Sequence, residues 1–391
     1  MTIWFEEATD GCSQAAHIQI QAQQAALTRR DRGSRSEYLS AVSGAEATAP
    51  RVLELRHLPR PRNHPDRRGV DRPVLALLFP GQGSQEIGMG REAYQASSAA
   101  RETFDAADAA LGFALSKICF EGPDEELLRT EVQQPAILTT GIALLRAFRE
   151  RRAIAPDFVA GHSLGEYTAL VASGALDFEE AVRLVHARGR FMQEAVAEGR
   201  GAMAAVLGLA PDEVARVCEA VRDATGGVVT PANYNSPQQT VIAGDAAAVE
   251  AACSRLREEG AKRTIPLAVS APFHCPLMAS AAEKLATELG RVRFSAASPP
   301  VVTNVEAEPN DDPGRMAALL EAQVTAPVRF VETIERLMAL GVTHVLEVGT
   351  GRVLSGLVAR ISRGLERSWL SSPDDFAGAE RFALASGAEP S

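Results

Sequence analysis

Residues 157–172 read D-F-V-A-G-H-S-L-G-E-Y-T-A-L-V-A. A short apolar strand, Asp157–Ala160, runs into a sharp turn, and an apolar helix follows it. The turn is Gly161-His162-Ser163-Leu164-Gly165, a G-x-S-x-G pattern. In such an elbow the serine sits on a strained strand-to-helix turn, and the two glycines let neighbouring backbone come close. The serine oxygen then projects at a helix N-terminus, where free N–H groups stabilise developing negative charge. A simple Gly-Ser turn is the plain alternative. The strand before and the helix after favour the elbow.

The flanking segments repeat the same grammar. V-L-A-L-L-F at 74–79 is a buried strand that ends in the glycine turn P-G-Q-G-S-Q at 80–85. Helical patterns follow over Arg91–Leu111 and Gln134–Arg152. Strands alternating with helices predict a parallel sheet with helices on its faces. Between Gly201 and Val269 the rhythm changes. Ala202–Leu209 reads as a strand and Pro211–Arg222 as a helix with Pro in its first turn. Val228–Asn233 and Thr240–Ala243 read as two strands, Ala246–Glu259 as a helix and Lys262–Val269 as a strand. That order, strand-helix-strand-strand-helix-strand, is the ferredoxin-like arrangement. It predicts a compact insert over 201–270 within a larger α/β domain formed by 73–200 and 271–365. The returning chain offers a strand near Pro300–Asn304, a helix at Phe330–Leu340 and the strand V-T-H-V-L-E-V-G. The tail over 366–391 is polar and reads as loosely packed.

The first 72 residues differ in texture. They carry 11 Arg against 9 Asp and Glu, whereas the whole chain has a formal charge of −10. Ser13–Arg30 can form a polar helix but lacks an apolar stripe, and Arg51–Arg72 packs seven Arg and three Pro. Met1–Arg72 therefore reads as a mobile extension ending in a solvated linker, with a basic anchor as the alternative. The 391 residues are 46% hydrophobic and 23% charged, which excludes a largely disordered or fibrous chain. No apolar run is long enough to cross a membrane, and the N-terminus has no secretory pattern. Five scattered cysteines without a C-x-x-C pair give neither a disulfide framework nor a zinc site, which fits a reducing cytoplasm. The acidic balance argues against nucleic acid as the main partner.

A nucleophilic serine needs a base. His162 is its neighbour, but side chains diverge at a tight turn. His17, His57 and His64 lie in the polar extension, while His186 and His344 fall within a helix and a strand pattern and read as structural. His274, in the proline-bounded loop S-A-P-F-H-C-P-L-M, is the remaining candidate. An oxyanion hole needs backbone donors: Leu164 N–H is one, and the loop 80–85 supplies the other. That loop lacks the Lys-Ser/Thr ending of a phosphate cradle. Arg188 shares a helical face with Ala181, Val185 and Met192. A guanidinium on an apolar stripe needs an anion, either a substrate carboxylate held bidentately or an internal Glu.

From about Pro73 to Leu365 the chain resembles the malonyl-CoA:acyl carrier protein transacylases and the similar acyltransferases of polyketide synthases. The motifs that carry the resemblance come in order: F-P-G-Q-G-S-Q, G-H-S-L-G-E-Y, R-G-R-F-M-Q, N-Y-N-S-P-Q-Q-T-V-I-A-G, A-P-F-H-C, Q-V-T-A-P-V-R-F and L-E-V-G-T-G. The resemblance implies an α/β-hydrolase-like domain with a ferredoxin-like insert. It implies that Ser163 is the nucleophile and His274 the base, oriented by backbone carbonyls in place of an acid. Gln82 and Leu164 match the oxyanion-hole positions, Arg188 the arginine for the malonyl carboxylate, and Gln323 a glutamine near the histidine. Phe273, just before the base, accompanies malonyl selection in related synthase domains. Malonyl-CoA and a phosphopantetheinylated acyl carrier protein would be the partners of a two-step transfer that needs no metal or prosthetic group. The extension and the tail have no counterpart in the family, and the absence of recognisable synthase linkers favours a stand-alone enzyme. An acyl-hydrolase of the same fold, an acyltransferase for a substituted malonyl unit and an idle docking module are the alternatives. Arg188 argues against the hydrolase.

Overall fold

The computed structural model of the chain describes residues 73–269 and 271–386. The expectations for Met1–Arg72 and for 387–391 lie outside the described residues. Among the described residues ten strands form two sheets. β1 (Val74–Phe79), β2 (Phe158–Gly161), β7 (Val301–Val302), β8 (Pro309–Asn310), β9 (Val342–Val348) and β10 (Glu366–Leu370) form the larger, in the order β10-β9-β1-β2-β7-β8. All its pairings are parallel except β7 with β8. Central β1 is covered on both faces, which is why it reads as an unbroken apolar run. Ala76 and Leu78 pack on the helices Phe330–Ala339 and Val353–Ile361 through Phe330, Ile334, Leu337, Leu354 and Val358. On the sheet's other side Phe79 meets Gly141 of the long helix Thr130–Arg151.

The smaller sheet has the order β4-β5-β3-β6, from β3 (Gly201–Leu207), β4 (Val229–Ser236), β5 (Gln239–Asp245) and β6 (Arg263–Pro266), and every pairing is antiparallel. The helices Pro211–Thr225 and Ala246–Glu258 bury Val214, Val217, Val221, Val249, Ala252 and Leu256 with Ala204, Val206 and Ile242 of the sheet. β4 also touches the larger body: Tyr234 N–H donates to Val328 O, and Val328 N–H to Ala232 O, both at 2.9 Å.

The structure departs from the sequence reading in three places. The helix expected over Arg91–Leu111 is two, Arg91–Ala96 and Ser98–Leu111, because the Ser97 side chain accepts from Ala100 N–H and restarts the helix. The strand near Pro300–Asn304 shrinks to two residues, and Thr303 and Asn304 leave it for a loop. Residues 366–386 are not a loose tail. β10 adds a parallel edge strand to β9, and the helix Phe376–Ala385 buries Phe376, Ala379 and Ala383. Only one face of that edge needs apolar cover, so its sequence looks polar.

Candidate active site

The larger sheet brings three strand ends together. β2 lies between β1 and β7, so the turn after β2 meets the loops that leave its two neighbours. Ser163 occupies that turn at φ 52°, ψ −107°, a conformation that L residues rarely adopt. The glycines explain how the turn is possible. A Cβ on Gly165 would stand 2.0 Å from Phe79 O, and one on Gly161 would stand 1.9 Å from the Gly165 carbonyl carbon. Leu164 opens the helix Leu164–Ala172, so its N–H has no helical carbonyl one turn earlier. The loop 80–85 passes close by. His162 N–H donates to Phe79 O at 3.0 Å, and a Cβ on Gly81 would meet His162 O at 2.4 Å. This sets the backbone leading to Gln82 against the elbow, while the Gln82 side chain donates to Gln133 Oε1.

His274 arrives from the loop after β6, also at positive φ (57°). Its Nε2 lies 2.7 Å from Ser163 Oγ, and its Nδ1 lies 2.8 Å from the Gln323 carbonyl oxygen. A carbonyl can only accept, so Nδ1 carries the proton and Nε2 presents its lone pair to the serine hydroxyl. Burial, and secondarily the positive charge of Arg188, lower the His274 pKa to about 3. The imidazole is therefore neutral at physiological pH. Cys275 Sγ donates to Pro272 O at 3.0 Å and braces this loop. Phe273 is buried beside it.

Arg188, on the helix Phe178–Glu194, is 0% exposed and shares its buried face with Ala181, Val185 and Met192. Its Nη1 donates to Gln134 Oε1 at 2.8 Å; its Nη2 donates to Gln323 Oε1 at 2.9 Å and to Ser163 Oγ at 3.1 Å. All three acceptors are neutral. Burial pushes its pKa below the usual arginine value, and the neighbouring Tyr167 and Glu166 push back. Neither makes an ion pair with it, so the internal salt bridge weighed from the sequence does not form among the described residues. Glu166 spends its Oε2 on Asn304 N–H (3.0 Å) and Gln323 Nε2 (2.8 Å), and burial raises its pKa to about 7. Gln323 Nε2 also donates to Ser163 O at 3.1 Å, so both amide donors are committed to protein. This packs Gln323 against Arg188, His274 and the Ser163 backbone.

Ser163, His274, Arg188 and Gln323 thus converge from four separate elements. His162 turns away: its Nε2 bonds Asn235 Oδ1 at 2.9 Å on β4. His186 bonds the Glu131 carbonyl and His344 stacks against Phe382, as structural histidines do. The sequence reading missed Gln134, Glu166, Asn235 and Asn304. Glu166 and Asn235 lie inside the motifs G-H-S-L-G-E-Y and N-Y-N-S-P-Q-Q-T-V-I-A-G, whereas Gln134 and Asn304 carry no local signal.

Residues 76–368 match the family described as the acyl transferase domain. The chain belongs to that family. It is 47% identical over 305 residues to the malonyl CoA-acyl carrier protein transacylase of Escherichia coli K12, covering 78% of this chain and 98% of that one. The Bacillus subtilis 168 protein of the same name is 50% identical over 300 residues, covering 77% and 94%. Among solved structures, the Coxiella burnetii malonyl CoA-acyl carrier protein transacylase superposes with a TM-score of 0.78 at 41% identity, covering 80% and 98%. A malonyl-transacylase in complex with its type II PKS acyl-carrier protein gives 0.76 at 43%, covering 78% and 98%. Among the described residues of this acyltransferase no helix is long and apolar enough to cross a membrane.

Proposed function

We propose that this acyltransferase moves the malonyl group from malonyl-CoA to the phosphopantetheine thiol of an acyl carrier protein, through a malonyl ester on Ser163. One observation carries the reading: a fully buried arginine, held only by neutral acceptors, lies 3.1 Å from the oxygen that would take the acyl group. A buried cation without an anion is costly, and a malonyl carboxylate supplies the anion in bidentate form. A monocarboxylic acyl chain would bring only an apolar end to that charge, which disfavours the acyl-hydrolase.

The proposed transfer takes two steps. His274 Nε2 takes the Ser163 proton as Oγ attacks the thioester carbonyl. The tetrahedral oxyanion is met by the backbone N–H groups of Leu164 and Gln82. Coenzyme A leaves with the proton from His274, and the malonyl-serine ester remains. The carrier thiol gives its proton to the same nitrogen and attacks the ester carbonyl; the carrier thioester forms, the ester C–O bond breaks, and His274 returns the proton to Ser163 Oγ. The Gln323 carbonyl holds the Nδ1–H tautomer throughout, so no acid is needed behind the histidine. Substrate also helps its own base, because a carboxylate on Arg188 offsets the positive charge that depresses His274. Phe273 borders the base and would crowd an α-substituent, so malonyl is preferred to methylmalonyl.

In this reading 73–200 and 271–365 are the α/β-hydrolase-like catalytic part, and the four-stranded unit 201–270 is the ferredoxin-like insert. Residues 366–386 belong with the sheet they extend. A reducing cytoplasm suits the four described cysteines, which are buried and free. The test is intact-mass measurement after mixing the protein with malonyl-, acetyl- and butyryl-CoA. One malonyl adduct in the wild type and none in Ser163→Ala supports the reading. Equal labelling by all three acyl groups, or a label that survives Ser163→Ala, overturns it.

A further inference from the structure

Ser163 keeps a backbone conformation that must be enforced, and the structure shows what faces it from each side. On the β1 side, His162 N–H is bonded to Phe79 O. On the β7 side stands Asn304, 1% exposed, two residues beyond the end of its strand. Its Oδ1 accepts from Ser163 N–H at 2.7 Å, and its Nδ2 donates to Gly161 O at 2.6 Å. One amide thus spans the strained residue, with its acceptor after the bend and its donor before it. Asn304 is itself anchored, because its own N–H donates to Glu166 Oε2 and its carbonyl accepts from Arg329 N–H at 3.1 Å.

We propose that Asn304 is a positioning residue that locks the Ser163 turn by bonding the backbone on both sides of it. The proposal rests on the reading of Ser163 as the nucleophile. The amide is needed because the two backbone groups have opposite polarity. Ser163 N–H requires an acceptor and Gly161 O requires a donor, and both are buried where water cannot substitute. An ionised carboxylate of the same shape satisfies the first and repels the second. A protonated carboxyl satisfies both.

Asn304→Asp therefore distinguishes a lock from a space-filler. Placed against Gly161 O in a buried site, the new carboxyl has a raised pKa, so the lock is complete below that pKa and broken above it. The titratable and charged groups around it are Glu166 on the elbow helix, Glu306 on its own loop, His162 and His274 flanking Ser163, and Arg188 and Arg329. Wild type contains all of these, so the variant-to-wild-type ratio reports the introduced carboxyl together with its coupling to Glu166. The assay is single-turnover malonylation of Ser163 between pH 5.5 and 8.5, with thermal melts and KM for malonyl-CoA. Expected for Asn304→Asp is a KM within about threefold of wild type and an acylation rate at least about thirtyfold lower at pH 8.5, recovering severalfold or more at pH 5.5. Asn304→Ala should be slow at every pH. A rate within about threefold of wild type in Asn304→Asp at pH 8.5, or a loss that does not depend on pH, overturns the proposal. If Asn304→Ala does not fold, the decision lies with Asn304→Asp; if that isosteric variant is also unfolded at pH 5.5, Asn304 is a structural pin and the proposal is wrong. Wild-type labelling of Ser163 is read in the same experiment, so failure of the nucleophile assignment is seen separately.

Discussion

Replacing Arg188 by alanine separates a carboxylate-reading transferase from an acyltransferase indifferent to the acyl end. The guanidinium is 0% exposed, and three neutral acceptors hold it without cancelling its charge. The malonyl carboxylate would thus meet a buried cation that no ion pair neutralises. Removing one member of such a pair costs about 2–5 kcal/mol. At about 1.4 kcal/mol per tenfold, malonyl loading should fall by roughly thirty- to several-thousandfold. Acetyl-CoA loses nothing at the same position, so the malonyl-to-acetyl ratio should collapse by a similar factor. Arg188→Lys should recover little of it, because an ammonium cannot span Gln134 Oε1 and Gln323 Oε1 and still offer a fork to the carboxylate. The assay is competitive loading of Ser163 from an equimolar mixture of the two thioesters, read by intact mass, with thermal melts as the control for folding. Ratios that agree within a few-fold in wild type, Arg188→Ala and Arg188→Lys would refute the carboxylate-reading role.

Three further outcomes are expected. His274→Ala should slow Ser163 acylation by roughly 10²–10⁴-fold; in the wild type, burial lowers this histidine to about 3, so its neutral form persists as the pH falls and no rate loss centred near pH 6.5 should be traceable to it when wild type and variant are compared. Gly165→Ala should destabilise the fold by about 3 kcal/mol or more and abolish loading, because the added methyl would sit 2.0 Å from Phe79 O, a backbone atom that cannot rotate away; a melt within a degree of wild type would contradict the close strand-to-helix approach. A protein beginning at Pro73 should load malonyl at the full-length rate, since the matched segment alone spans 98% of the Escherichia coli relative; a truncated protein that fails to load would show that the first 72 residues complete the site.

Much of this architecture is legible locally. The 157–172 stretch announces strand, turn and helix, and the turn fixes where the chemistry must be. The apolar run of β1 and the two antiparallel hairpin halves of the smaller sheet are equally plain. Ser163, His274 and Arg188 stand out because each conflicts with its surroundings: a serine between glycines, a histidine in a rigid loop, a cation on an apolar stripe. The residues that hold them carry no such conflict. Asn304 is 141 positions from Ser163, in a loop after a two-residue strand, and only the order of the parallel sheet brings them together. Gln134 lies within a long helix, where a glutamine reads as solvated, yet it is buried against Arg188. Gln323 was visible by its motif, but its place against the arginine was not. The β10 strand is not legible because, at the sheet edge, its residues are exposed or only half-buried apart from Leu370, so no apolar run marks it.

The central claim is that the acyl group leaves the enzyme for a carrier thiol. Malonyl-enzyme can be prepared with malonyl-CoA, freed of excess thioester by gel filtration, and divided between buffer alone and buffer containing a phosphopantetheinylated acyl carrier protein. Intact-mass spectra of both proteins then follow the malonyl group. The ester on Ser163 should persist in buffer and pass one-for-one to the carrier protein within seconds. Loss of the malonyl group at the same rate in both tubes, with free malonate as the product and no mass gain on the carrier, would contradict it and leave an acyl-hydrolase in its place.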